Sequence, residues 1–138
     1  MKNWVKDINK MHAKFGVHDW VTTQVKEGNH DKLKKFLEFR IKFLQEELTE
    51  TQNAVDNKDA EEIVDGLIDL CVVAIGTLDA FGIDAYEAWD EVHQANMSKE
   101  RGVKESRPNP LGLPDLIKPA DWQGPEHKGN YGYLTDSI

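Results

Sequence analysis

The chain has 138 residues, enough for one domain with a core and too few for two comfortable ones. Its formal net charge of -8 leaves no basic surplus to neutralise nucleic-acid phosphates or an anionic membrane, so neither is expected as a partner. The single cysteine, Cys71, lies in an apolar run, which excludes a disulfide framework and fits a small core residue in a reducing cytoplasm. The N-terminal MKNWVKDINK lacks an apolar core segment, and the run from Leu67 to Gly76 is interrupted by Asp69, so a soluble cytoplasmic protein is expected.

All five prolines fall between Pro108 and Pro125. The chain therefore divides into a helical body, residues 1–101, and an irregular arm, residues 102–138. Trp4, Ile8, Met11 and Phe15 recur at helical spacing and predict an amphipathic outer helix that stops near Gly16. Residues 17–30 read as a loop or short irregular piece, with Trp20 as an anchor to the body or to a ligand.

From about Asp31 to Asn57 the period is strong. Leu37, Ile41, Leu44 and Leu48 form one stripe, and Phe36, Phe39 and Phe43 form another beside it. At about 100° per residue, Glu46, Glu47 and Glu50 continue the phenylalanine face rather than the solvent face. The next helix is predicted to start at Asp59, with Glu62, Asp65 and Asp69 within about 60° of one another and in line with Val72, Val73 and Gly76. Gly82 is placed to cap that helix in the left-handed conformation. Asp84 and Glu87 have capping-box form ahead of a helix through Tyr86, Trp89, His93 and Met97.

After Lys99 the period dissolves. With Pro and Gly throughout, the remainder reads as an extended arm whose docking points are Leu111, Leu113, Leu116, Ile117, Trp122, Tyr131 and Tyr133. No internal repeat and no cleanly alternating strand is present, so the predicted fold class is all-α, a bundle of four to five helices.

The acids carry the chemistry. Residues three or four apart share a helix face, so Glu47 or Glu46 with Glu50 make one potential ligand pair and Glu62 with Asp65 another, brought together if the helices run antiparallel. Carboxylates converging beside apolar side chains repel one another and lose hydration unless a cation lies among them. An all-oxygen donor set selects hard ions, Mg²⁺ or, as a substitute, Mn²⁺, and magnesium completes its shell with water and substrate phosphates. Metal-assisted hydrolysis of a polyphosphate follows as the expected reaction. Each acid also has an ordinary explanation. Glu46, Glu47 and Glu50 suit a solvated helix face paired with Lys42, and Glu62 with Asp59 suits a capping box.

The E-E-x-x-E element at residues 46–50, the E-x-x-D element at 62–65 and the following GIDAYEAWDEVHQANMSK occur in one order. Over roughly residues 30–100 this resembles the all-α nucleoside triphosphate pyrophosphatase superfamily, the MazG and phosphoribosyl-ATP pyrophosphohydrolase-like group, and its small stand-alone, often phage-type members. The resemblance implies a homodimer or homotetramer that binds Mg²⁺ and cleaves a nucleoside triphosphate between the α and β phosphates, giving a monophosphate and pyrophosphate. Carried over by position, Glu47, Glu50, Glu62 and Asp65 are the metal ligands. Glu46 is a further ligand or the base that orients the attacking water. Asn96 and Lys99 match the segment that approaches the substrate.

The competing readings are phosphoribosyl-ATP hydrolysis and a catalytically silent helical oligomer with a structural cation. Asp69 has no motif partner and reads as an acid behind the ligands, while Asn96 and Lys99 also suit a plain helix end. His12, His18, His30, His93 and His127 show no metal-ligand spacing with one another, and the lone E-x-x-H at Glu27 to His30 does not make a di-iron bundle. No P-loop is present. The four tryptophans read as core, with Trp20 and Trp122 as the exceptions.

Overall fold

The computed structural model describes residues 1–106, 111 and 115–138. It divides into two compact units, one formed by residues 1–85 with 131–138 and the other by residues 86–130. There are five α-helices among the described residues, so the predicted all-α class holds.

In the first unit, α1 (Trp4–Lys14) begins where the Asn3 side chain accepts the Lys6 N–H at 3.0 Å, taking up one of the donors a helix start leaves open. Gly16, at φ 78°, turns the chain directly into α2 (Val17–Lys26). This corrects the expected loop at residues 17–30. Val17, Val21, Thr22, Thr23 and Val25 are β-branched and weak helix formers, but burial of Val21 and Gln24 supplies what intrinsic propensity does not. Trp20 lies against Phe36 at 5.1 Å between ring centroids, so its anchorage is to the body.

The two long helices are α3 (His30–Asp56) and α4 (Ala60–Ala80), joined by a turn at residues 57–59. Lys58 sits in this turn at φ 56°, and the Asp59 N–H returns to Ala54 O, closing α3 with a left-handed cap. The Asp59 side chain then accepts the Glu62 N–H at 3.2 Å and starts α4. Thr51 meets Gly66 while Arg40 meets Val73 and Thr77, a falling register that makes the pair antiparallel. At Gly66 an added Cβ would collide with the Thr51 hydroxyl, so the helices approach there at a distance only glycine permits.

Leu33 and Phe81 are fully buried, with Ile8, Val21, Val73 and Ala80 beside them in the core. Gly82, at φ 70°, ends α4 as predicted. The C-terminal segment ends in a 3₁₀ turn, Leu134–Asp136, and joins the same unit. The Tyr133 N–H donates to Phe81 O at 2.7 Å, and Ser137 is buried. The stripe of Leu37, Ile41, Leu44 and Leu48 is only partly covered: Ile41 is 47 % and Leu48 60 % exposed.

The second unit holds nearly all of α5 (Ala85–Met97) and an antiparallel two-stranded ribbon, β1 (Glu100–Gly102) with β2 (Asp115–Ile117), Arg101 opposite Leu116. The ribbon corrects the expectation of an arm without paired strands; three residues per strand are too few to show alternation. Trp122 docks within this unit, its indole N–H donating to Ala95 O at 2.8 Å. Of the other expected docking points, Tyr133 and Ile117 are half-buried, Leu111, Leu116 and Tyr131 are exposed, and Leu113 lies outside the described residues.

Candidate active site

Glu47 lies on the α3 stripe that also carries Leu33, Arg40 and Thr51, the side of the helix turned toward α4. Its carboxylate is therefore led inward while its neighbours are not. Glu46, Glu50, Glu62 and Asp65 are exposed, whereas Glu47 and Asp69 are half-buried. Glu47 Oε2 is buried and has no hydrogen-bond partner among the described residues. Burial pushes the Glu47 carboxyl above the usual range, and the negative charges of Glu50, Asp69, Asp65 and Glu46, in that order, push it further. The acids of α3 and α4 thus act on one another across the hairpin. Glu62 stands at the α4 start, where the Asp59 side chain accepts its N–H, but the Asp59 N–H goes to Ala54 O, so Asp59 caps the helix without the return bond from Glu62 that a capping box needs.

Glu47 and Asp69 share a cavity of about 330 Å³ with Arg40, His12 and the apolar side chains of Met11, Phe43, Val72 and Val73. Asp69 was expected behind the ligands; it lines the same cavity as Glu47. Arg40 was not singled out by sequence. Its Nε donates to Thr77 Oγ1 at 3.0 Å and its Nη2 to Val73 O at 2.9 Å, which fixes the guanidinium on α4 with N–H groups to spare for a ligand. Burial holds it below its ordinary value, and a guanidinium keeps its charge in proteins. The cavity lining thus combines two carboxylates, a guanidinium and apolar side chains.

His12 links this cavity to a second cluster. Its Nδ1 lies 2.8 Å from Asp79 Oδ2, and His18 Nε2 lies 2.7 Å from the same oxygen. Asn9 donates to Asp79 Oδ1 at 2.8 Å. Burial opposes ionisation of Asp79, but the hydrogen bonds from Asn9, His18 and His12 hold its carboxyl below the ordinary range. Burial also lowers His12, with Arg40 and His18 adding to it against the pull of Asp79. The expectation that no histidines converge is corrected here. His12 and His18 lie on different helices, and spacing within one helix could not relate them to each other or to Asp79.

The second unit carries the two residues matched to the substrate segment. Asn96 is exposed near the end of α5, its carbonyl accepting the Lys99 N–H at 3.2 Å. The Lys99 ammonium lies 5.4 Å from the centroid of the Trp122 ring, and Lys118 lies 4.8 Å from it. No helix among the described residues is long and apolar enough to cross a membrane.

Comparison with known proteins adds one finding. The family model described as phosphoribosyl-ATP pyrophosphohydrolase matches residues 18–96, which take in all of α3 and α4 and nearly all of α2 and α5. No curated protein and no solved structure matches the chain. The matched segment contains every acid discussed above, from Glu46 to Asp79, and stops short of His12 and Lys99. The chain belongs to the phosphoribosyl-ATP pyrophosphohydrolase family, within the MazG-like all-helical pyrophosphatase superfamily, and is a hydrolase acting on phosphoric anhydrides.

Proposed function

We propose that the protein is a Mg²⁺-dependent nucleoside triphosphate pyrophosphohydrolase, cleaving its substrate between the α and β phosphates to a monophosphate and pyrophosphate. The observation that carries this reading is the buried, unpartnered Oε2 of Glu47 amid four further carboxylates. A buried anion without a donor is costly, and more so when like charges surround it. A hard divalent cation removes both costs, and the all-oxygen donor set fits one. Glu47, Glu50 and Asp65 would hold it, with Glu62 as a fourth ligand and Asp69, which faces the same cavity as Glu47, as a further one. When bound, the ion supplies the positive charge that draws polyphosphate oxygens to so acidic a protein.

Around that charge the chain's own groups have separable tasks. Arg40, held by Thr77 and Val73 O and lining the same cavity, keeps N–H groups for an anionic or carbonyl oxygen of the substrate. Met11, Phe43, Val72 and Val73 exclude water from that cavity. Glu46, exposed beside Glu47, takes the proton of the attacking water as the bond to phosphorus forms and the α–β bridging oxygen leaves with pyrophosphate. Apart from these groups of the first unit, the resemblance assigns Asn96 and Lys99 of the second unit to the substrate phosphates.

Phosphoribosyl-ATP is the second reading, favoured by the family match itself. The partly exposed stripe of Ile41 and Leu48, with Val64, Leu67 and Ile68 exposed on α4, supports burial against a second copy of the chain as a homodimer or homotetramer. Incubation with a panel of ribo- and deoxyribonucleoside triphosphates and phosphoribosyl-ATP, with Mg²⁺ or with EDTA, tests the proposal. Monophosphate plus pyrophosphate, abolished by EDTA, is the expected outcome, and the substrate turned over decides between the two readings. Orthophosphate plus diphosphate would refute the assigned bond.

A further inference from the structure

Three side chains from three helices meet at one oxygen in the first unit. The ligand atoms of His12, His18 and Asp79 all lie within 4.8 Å of one another. Gly16 makes this possible: its left-handed turn folds α2 back so that His18 reaches the carboxylate that His12 approaches from α1. The Asp79 side chain is 9 % exposed and that of His12 6 %, so two sides of the cluster are closed. The third side is open: His18, 32 % exposed, borders a cavity of about 400 Å³ with Asn9, Thr22, Asp79 and Tyr133.

Both imidazoles hydrogen-bond Asp79 Oδ2 only if each carries its proton on the nitrogen facing it. Two protons then share the place that a single divalent cation would fill. Moving the proton of His12 to Nε2 and that of His18 to Nδ1 turns both nitrogens into ligands without adding charge to the rings. Ligand bonds of about 2.0–2.1 Å in tetrahedral geometry need ligand atoms about 3.3 Å apart, so each His to Asp contact must open by roughly half an ångström. The cavity on the His18 side gives that ring room to move and holds space for a water as fourth ligand.

We infer that His12, His18 and Asp79 form a second metal site, distinct in chemistry from the carboxylate face, that takes a borderline divalent cation of the Zn²⁺ type. Two imidazoles and one carboxylate suit Zn²⁺ or Co²⁺ far better than Mg²⁺, which demands six oxygen ligands. The ion would tie α1 and α2 to α4 behind the substrate cavity, through the His12 ring that lines it. The two sites sort their ions by ligand type, and both can be filled in one molecule.

The test uses the full chain, stripped of metal and held in excess Mg²⁺. Zn²⁺ is titrated against a chromophoric chelator, and Co²⁺ is followed by its visible absorption. One equivalent of Zn²⁺ that excess Mg²⁺ does not displace is expected. His18→Gln, folded by circular dichroism, should weaken it by more than the roughly 10–100-fold that loss of an outer partner costs. Glu47→Gln should leave it unchanged. His18→Cys should keep the site and add a thiolate-to-cobalt charge-transfer band, which a merely hydrogen-bonded cluster would not show. Absence of an equivalent that resists Mg²⁺, its persistence in His18→Gln, its loss in Glu47→Gln, or the missing band in His18→Cys would each overturn the inference.

Discussion

Replacing Glu47 by Gln should act on stability with opposite signs in the absence and presence of Mg²⁺. In EDTA the native carboxyl is held half-buried, and burial together with the charges of Glu50, Asp69, Asp65 and Glu46 makes its ionised form costly. Like-charge neighbours at helical separations cost about 0.2–0.5 kcal/mol each in exposed settings, so four of them come to about 1 kcal/mol once solvent screening is allowed for. Gln removes that repulsion and brings an amide N–H that the adjacent carboxylates can accept. Glu47→Gln should therefore raise stability by about 1 kcal/mol, or about 4 °C in melting temperature for a chain of this size. With Mg²⁺ at 100 times its dissociation constant the wild type gains about 2.7 kcal/mol by mass action, and the variant, lacking the ligand, gains a small part of that. The order of stabilities then reverses. Thermal melts of both proteins in EDTA and across a Mg²⁺ series read both effects. A variant less stable than wild type in EDTA, or equal gains from Mg²⁺, would refute the argument that an uncompensated charge waits there for a cation.

Gly66→Ala should cost about 1–3 kcal/mol in urea unfolding, because its Cβ meets the Thr51 hydroxyl, and pairing it with Thr51→Ala should recover a large part of the loss. Lys58→Gly should stabilise by about 0.5–1 kcal/mol, since φ 56° strains a side-chain-bearing residue by more than the extra freedom glycine gains on unfolding; a fall in the urea midpoint would contradict this. His12 has a folded pKa below its ordinary 6.5, so above that pH it adds no pH dependence, and as pH falls below it the unfolded chain takes up the proton first and stability declines. Between about pH 7 and 5.5 in EDTA the wild type should lose more stability than His12→Asn, and parallel losses would count against it. Ile68→Asp should shift the sedimenting species from oligomer to monomer, while an unchanged mass would remove the exposed α4 apolar residues from the interface.

Much of the fold was legible because its signals are local. Asp59 caps α4 and Gly82 ends it where the sequence says, and the period through Leu37 and Leu48 fixes α3. α2 was hidden because its β-branched residues argue locally against a helix that only the burial of Val21 and Gln24 sustains. At the site, counting steps of about 100° puts Glu46, Glu47 and Glu50 together on the inward face, and of the three only Glu47 is half-buried while Glu46 and Glu50 are exposed. The same count places Asp69 on the inward stripe, but Arg40 and the His12, His18, Asp79 cluster escaped for one shared reason. Each acquires its role from a neighbour on another helix, 61 residues away for His18 and Asp79, and no spacing rule reaches across such a separation.

The most direct test of the central claim, that the carboxylates of α3 and α4 hold the hard cation of a pyrophosphohydrolase, is a Mn²⁺ titration followed by electron paramagnetic resonance. Free Mn²⁺ gives the sharp signal and bound Mn²⁺ does not. The wild type should remove Mn²⁺ from the free pool and return it on addition of Mg²⁺, and Glu47→Gln should bind little of it. Equal binding by the two proteins would place the cation elsewhere and contradict the account.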